Sequence, residues 1–130
     1  MSIVIRTDPY PDETDFADLW RAAWGAEWTG NLLRVLSQSL VHLCAYEGDR
    51  LVGYVNVAWD GGTHAFLLDP TVDPDHRRRG LGSRLVRRAI ELSRERGALW
   101  MHVDYEPHLD PFYRACGFRP TAAGVIDLAH

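Results

Sequence analysis

Three consecutive arginines run directly into two closely spaced glycines in Arg77-Arg78-Arg79-Gly80-Leu81-Gly82. A guanidinium is a planar fork that matches paired anionic oxygens. Glycine permits positive φ and lets a ligand approach the backbone closely. A helix starting at this point adds N–H groups without partners and the positive end of its dipole. Together these describe a diphosphate cradle built largely from main chain. It is not the nucleotide P-loop, because Gly-x-x-x-x-Gly-Lys-Ser/Thr is absent. It is not the dinucleotide fingerprint either: Leu85 stands at the third glycine position. The plain alternative is a glycine turn carrying a solvated arginine run.

The charge distribution favours the cradle. All 14 basic residues are arginine, and eight of them lie between His76 and Arg96, accompanied only by Glu91 and Glu95. That segment carries +6 and the remainder −10, for a net charge of −4. A mildly acidic chain with one basic block suits a single compact anion better than a broad nucleic-acid face. No nucleic-acid partner is therefore expected.

Composition sets the remaining bounds. The 130 residues suit one domain, 1–130, and 46% apolar with 25% charged residues is ordinary for a soluble globular protein. The longest apolar runs are a few residues, too short to span a membrane. Met-Ser-Ile-Val-Ile-Arg lacks the basic and long apolar parts of a secretory signal. Cys44 and Cys116 are too few for a disulfide scaffold or zinc cluster and read as buried thiols of a cytoplasmic protein.

The elements that position the loop follow from periodicity. Ser2 to Arg6 reads as a short first strand, ended by Asp8-Pro9 and Pro11. Asp12 or Thr14 caps a helix with Phe16, Leu19, Trp20, Ala23 and Trp24 at helical spacing. A second helix covers Asn31 to Ser39. Val41 to Glu47, Leu51 to Trp59 and Thr63 to Val72 form a meander, its first turn at Glu47-Gly48-Asp49-Arg50. The long helix after the loop carries Leu81, Leu85, Ala89 and Leu92 on one face and reaches about Arg96. Arg87 and Glu91 are expected to pair on its wet side. Gly97 ends it. Ala98 to Tyr105 is a strand and Leu109 to Cys116 a short helix. Phe118 to Thr121 and Val125 to Leu128 are expected to close as a hairpin. The order β-α-α-β-β-β-α-β-α-β-β describes an α/β (α+β) mixed sheet with helices on both sides.

With its surroundings the loop becomes specific. The run from Val72-Asp73-Pro74 through Arg77-Arg78-Arg79-Gly80-Leu81-Gly82-Ser83 resembles the acetyl-CoA-binding segment of the GNAT acyltransferase superfamily. Pro111-Phe112-Tyr113-Arg114-Ala115-Cys116-Gly117-Phe118 is similar to that family's second signature. The resemblance runs from about Thr63 to Pro120. It implies the GNAT fold with splayed central strands and pantetheine lying in the gap. It also implies cofactor contacts at Val72 and on Arg77, Arg78, Arg79, Gly80, Leu81, Gly82 and Ser83. Pro70, lacking an N–H, suits either an open strand edge or simple strand termination. At the family's asparagine position stands Glu106, which either serves the acceptor or faces solvent.

The resemblance further implies N-acetyl transfer from acetyl-CoA, as cosubstrate, to a primary amine by direct attack, with no metal. A neutral amine attacks the thioester, and CoA leaves as a thiolate. Tyr113 carries over as the general acid that assists this departure. For the base, His102 and Asp104 share one face of their strand, near where the central strands should diverge. The acceptor pocket is expected from the N-terminal helices and the sheet face. Trp20, Trp24 and Trp28 line one helix side if that helix continues through Gly25, and Trp59 and Trp100 add aromatic surface. The expected partners are a small-molecule amine or a peptide N-terminus or lysine, with a homodimer allowed and no membrane. Two other readings are a CoA-binding module without transfer and a metal-dependent vicinal-oxygen-chelate protein. The latter requires an internal repeat this chain lacks.

Overall fold

The computed structural model describes residues 2–130. Five strands form one sheet in the order β1 (Ile3–Thr7), β2 (Val41–Glu47), β3 (Arg50–Trp59), β4 (His64–Val72) and β5 (Trp100–His102). The first four are antiparallel neighbours, and β4 and β5 run parallel. Helices α1 (Glu13–Trp24) and α2 (Leu32–Ser37) precede β2; α3 (Leu81–Glu95) joins β4 to β5; α4 (Asp110–Ala115) follows β5. No helix among the described residues is long and apolar enough to cross a membrane.

Alternation along the strands divides the core in two. Leu43, Ala45, Val57, Ala65 and Leu67 pack under Leu85, Val86 and Ala89 of α3. Cys44 and Tyr54 point the other way, onto Phe16 and Leu19 of α1 and Leu32 and Leu36 of α2. A Cβ at Gly53 would lie 3.0 Å from a Leu85 methyl and 3.1 Å from the Ala45 Cβ. The absence of a side chain there lets α3 sit close on β3. Asp12 caps α1 through its carboxylate, and Gly25, at φ 69°, ends it.

Gly25 also corrects one expectation. The helix stops at Trp24, so Trp28 does not continue its face. Trp28 instead folds back edge-on to Trp20, at 4.9 Å between ring centroids, and joins the core with Phe16. The hairpin expected after Gly117 does not form either: residues 118–130 contain no strand. Two causes are on the chain. β5 is three residues long and offers few ladder partners, and Pro120 cannot donate to a ladder. Val125, Ile126 and Leu128 are consequently exposed. Arg87 does not pair with Glu91. It donates to Ser83 Oγ (3.0 Å) and to the Ala115 carbonyl, so it ties α3 to α4, while Arg88 takes Glu91.

The core carries a pH prediction. Burial pushes the Cys44 thiol up from 9.0 to about 12 and raises the Tyr54 phenol as well. Both groups stay protonated in the folded chain, whereas unfolded cysteine and tyrosine release protons near 8.5 and 10. Their contribution to stability is therefore complete below about pH 8.5 and is lost as pH rises toward 12. Calorimetry should show Tm falling by several degrees between about pH 9 and 11, and Cys44→Ala should flatten the start of that fall. A Tm indifferent to pH in this window would contradict the assignment.

Candidate functional site

Two features of β4 open a cleft. Pairing with β5 covers only His64, Ala65 and Phe66, opposite Trp100, Met101 and His102. Beyond Phe66, β4 continues to Val72 while β5 has ended. The register against β3 also slips between Tyr54 and Asn56, which leaves one extra residue in β4 at Asp69-Pro70. Asp69 takes φ 53°, a left-handed conformation that Asp tolerates better than most residues. Pro70 thus marks a bulge within a continuing strand, not the strand's end. Thr71 is pinned behind it: its hydroxyl donates to the Asp69 carbonyl (2.8 Å) and accepts from Trp24 Nε1 (3.1 Å).

Past Val72 the chain turns into the arginine loop. Asp73 organises the turn, accepting from the Asp75 N–H and His76 Nδ1 through Oδ2 and from Arg50 through Oδ1. His76 is buried between Asp73 (2.8 Å) and Glu47 (3.4 Å). Sequence reading did not single out this network. The Asp-Pro-Asp step signals a capped turn, but its partners Glu47 and Arg50 lie more than twenty residues away. Arg78 then adopts φ 63° and Gly80 φ 77°. The first hydrogen bond of α3 runs from the Arg84 N–H to the Gly80 carbonyl (3.0 Å), and no side chain caps the helix. The N–H groups of Leu81, Gly82 and Ser83 precede that bond with no intrahelical acceptor.

These donors floor a cavity of about 750 Å³. Of the residues expected to contact the cofactor, Val72, Arg77, Arg78, Gly80, Leu81, Gly82 and Ser83 border it; Arg79 does not. Arg77 is steadied by donating to the Ala23 carbonyl at the end of α1 (3.1 Å). The cavity has the parts a nucleotide diphosphate needs: cationic side chains, unpaired main-chain donors, and open space around Gly80, where a Cβ would meet no heavy atom within 4 Å.

On its other side this cavity meets a second, of about 910 Å³, walled by the segment after β5, by Asp69 and Pro70, and by part of the C-terminal stretch. Tyr113 borders both cavities. It is 5% exposed, stacks on Tyr105 at 4.6 Å between centroids, and its hydroxyl has no hydrogen-bond partner among the described residues. Burial first, then the acidic groups of Cys116, Asp104, Tyr105 and Asp69, raise its phenol above the usual 10. It is therefore a group that keeps its proton at neutral pH.

The two base candidates part company here. Asp104 borders the second cavity. His102 is the last β5 residue, bonded to His64 (2.8 Å) and stacked on Phe66, and it borders neither cavity. Glu106 borders both. Of the tryptophans only Trp24 reaches the site; Trp20 and Trp28 are core, and Trp59 and Trp100 are exposed away from it. The second cavity thus owes one residue to the N-terminal helices, less than expected. Thr71 was not legible as a site residue, because its placement depends on the bulge.

Comparison with known proteins adds three findings. The model of the Acetyltransferase (GNAT) family matches residues 4–118. Mycothiol acetyltransferase of Mycolicibacterium vanbaalenii is 38% identical over 77 residues, covering 58% of this chain and 26% of that protein. Glucosamine 6-phosphate N-acetyltransferase 1 of Oryza sativa subsp. japonica is 46% identical over 57 residues, covering 44% and 34% respectively. The chain thus spans about a quarter to a third of the length of these relatives. Among solved structures, a GNAT family acetyltransferase from Streptococcus pneumoniae superposes with a TM-score of 0.79 at 29% identity, over 98% of this chain and 99% of that one.

Proposed function

This chain belongs to the acetyltransferase (GNAT) family, and on that premise we propose that it transfers an acetyl group from acetyl-CoA to a primary amine, with both substrates bound at once. One observation carries the proposal: Tyr113, 5% exposed overall and with a hydroxyl that bonds to no described residue, borders both a cation-lined cavity at a helix start and a second cavity. Family membership removes the metal-dependent vicinal-oxygen-chelate alternative. Relatives named for mycothiol and glucosamine 6-phosphate acetyl transfer favour a small-molecule amine over a protein acceptor.

Each residue's task follows from its place. The N–H groups of Leu81, Gly82 and Ser83, with Arg77 and Arg78, hold the diphosphate. Val72, where β4 pairs with β3 but has run past β5, borders the path of the pantetheine arm. Bound there, acetyl-CoA supplies an activated acyl thioester. Tyr113 holds its proton at Oη and presents it to a departing thiolate. Asp104, on the acceptor side, takes the proton from the incoming ammonium; His102 borders neither cavity and is not given that role.

The direct test is CoA thiol release from acetyl-CoA across a panel of small amines, with calorimetric titration of CoA alongside. Saturable CoA binding and amine-dependent thiol release are expected. CoA binding with no release for any amine would leave a binding module without transfer. Absence of CoA binding would overturn both readings.

A further inference from the structure

The acceptor cavity is acidic. Asp69, Asp104, Glu106 and Asp110 border it, and no arginine or histidine does. Asp110 is answered locally, by the Arg114 guanidinium and the Tyr105 hydroxyl. Asp69, Asp104 and Glu106 make no ion pair among the described residues. Burial and the charge of Asp104 hold the Asp69 carboxyl above its usual range, as expected of carboxylates crowded around a gap with nothing positive in it. The bulge fixes the Asp69 backbone at φ 53°, so its main chain cannot readily relax away from that repulsion. Trp24 and Tyr105 add aromatic wall, a surface that attracts ammonium groups. Independently of the carboxylates, the Tyr113 side chain borders this space, 5% exposed overall and with its hydroxyl bonded to no described residue.

We propose, resting on the acetyl-transfer reading above, that the acceptor is a short aliphatic di- or oligoamine. Its distal ammonium lies by Asp69 and Glu106 while the reacting nitrogen reaches Asp104 and Tyr113. An acceptor bearing a phosphate or carboxylate would enter against three unanswered negative charges with no compensating cation on this side. The glucosamine 6-phosphate relative is named for an anionic substrate, and this cavity has the opposite polarity.

Cadaverine, n-pentylamine and ε-aminocaproate are matched in length and differ in distal charge. Calorimetric binding to the protein, and thiol release with acetyl-CoA, should both rank cadaverine first. Its advantage over pentylamine should be at least roughly tenfold, the scale of one charge-assisted hydrogen bond. ε-Aminocaproate should be poorest. The double variant Asp69→Asn, Glu106→Gln should bring cadaverine to the pentylamine level; asparagine tolerates the left-handed backbone at position 69. Circular dichroism and an unchanged CoA titration would show that this variant is folded. Preferential cadaverine binding without thiol release would uphold the cation site and overturn acetyl transfer. Thiol release at equal kcat/KM for all three amines would uphold transfer and overturn the diamine assignment.

Discussion

Gly82→Asp is expected to leave the fold intact and reduce CoA affinity by at least about a hundredfold. The steric side is mild: a Cβ at position 82 would meet Phe112 at 3.6 Å and Val72 at 3.7 Å, ordinary contact distances. A carboxylate in the first turn of α3 even complements the helix dipole, so Tm should hold or rise slightly. The electrostatic side is severe. A negative charge about 4 Å from another, at an effective dielectric near 20, costs about 4 kcal/mol, and solvent screening reduces this without removing it. Gly82→Ala isolates the two contributions and should lose less than about tenfold. Calorimetry of unfolding and of CoA binding reads both. Normal CoA affinity in the aspartate variant would place the diphosphate elsewhere and remove the basis for the site.

Tyr113→Phe is expected to lower kcat by roughly a hundredfold or more, within the range for loss of a positioned general acid. The acetyl-CoA affinity should change little, because the proposed diphosphate donors lie at the start of α3, not on α4. Stability should also hold. The Tyr113 hydroxyl bonds to no described residue, so its removal orphans no protein group, and the ring stacking on Tyr105 is kept. Burial and acidic neighbours hold this phenol above 10, so the wild-type rate should show no loss assignable to its ionisation below about pH 10. An unchanged kcat in the phenylalanine variant would take Tyr113 out of the mechanism.

What could be read from the chain was what depends on short range. Helix α3 was anticipated from Leu81 because its apolar face, its glycine start and the Gly97 stop are all local. The strand limits Val41 to Glu47 emerged from β-rich composition and a tight turn. The loop from Arg77 to Ser83 was found for the same reason. The misses depend on distant partners. The bulge at Asp69-Pro70 is a relation between β4 and β3, and Pro70 alone does not distinguish it from an ending. His102 and Asp104 share a strand face by parity, yet β5 stops between them, and only the residue beyond that end borders a cavity. Val125 to Leu128 has strand-like composition, but a hairpin also needs an edge long enough to receive it.

Arg78 is held at φ 63°, in a conformation that costs a non-glycine residue about 1 kcal/mol. Glycine at that position would relieve the cost and delete one of the cations bordering the proposed CoA cavity. Directed evolution of this scaffold for heat tolerance alone would therefore enrich glycine at position 78 and return hardier but slower enzymes. A selection that rewards turnover at low coenzyme concentration would keep the arginine.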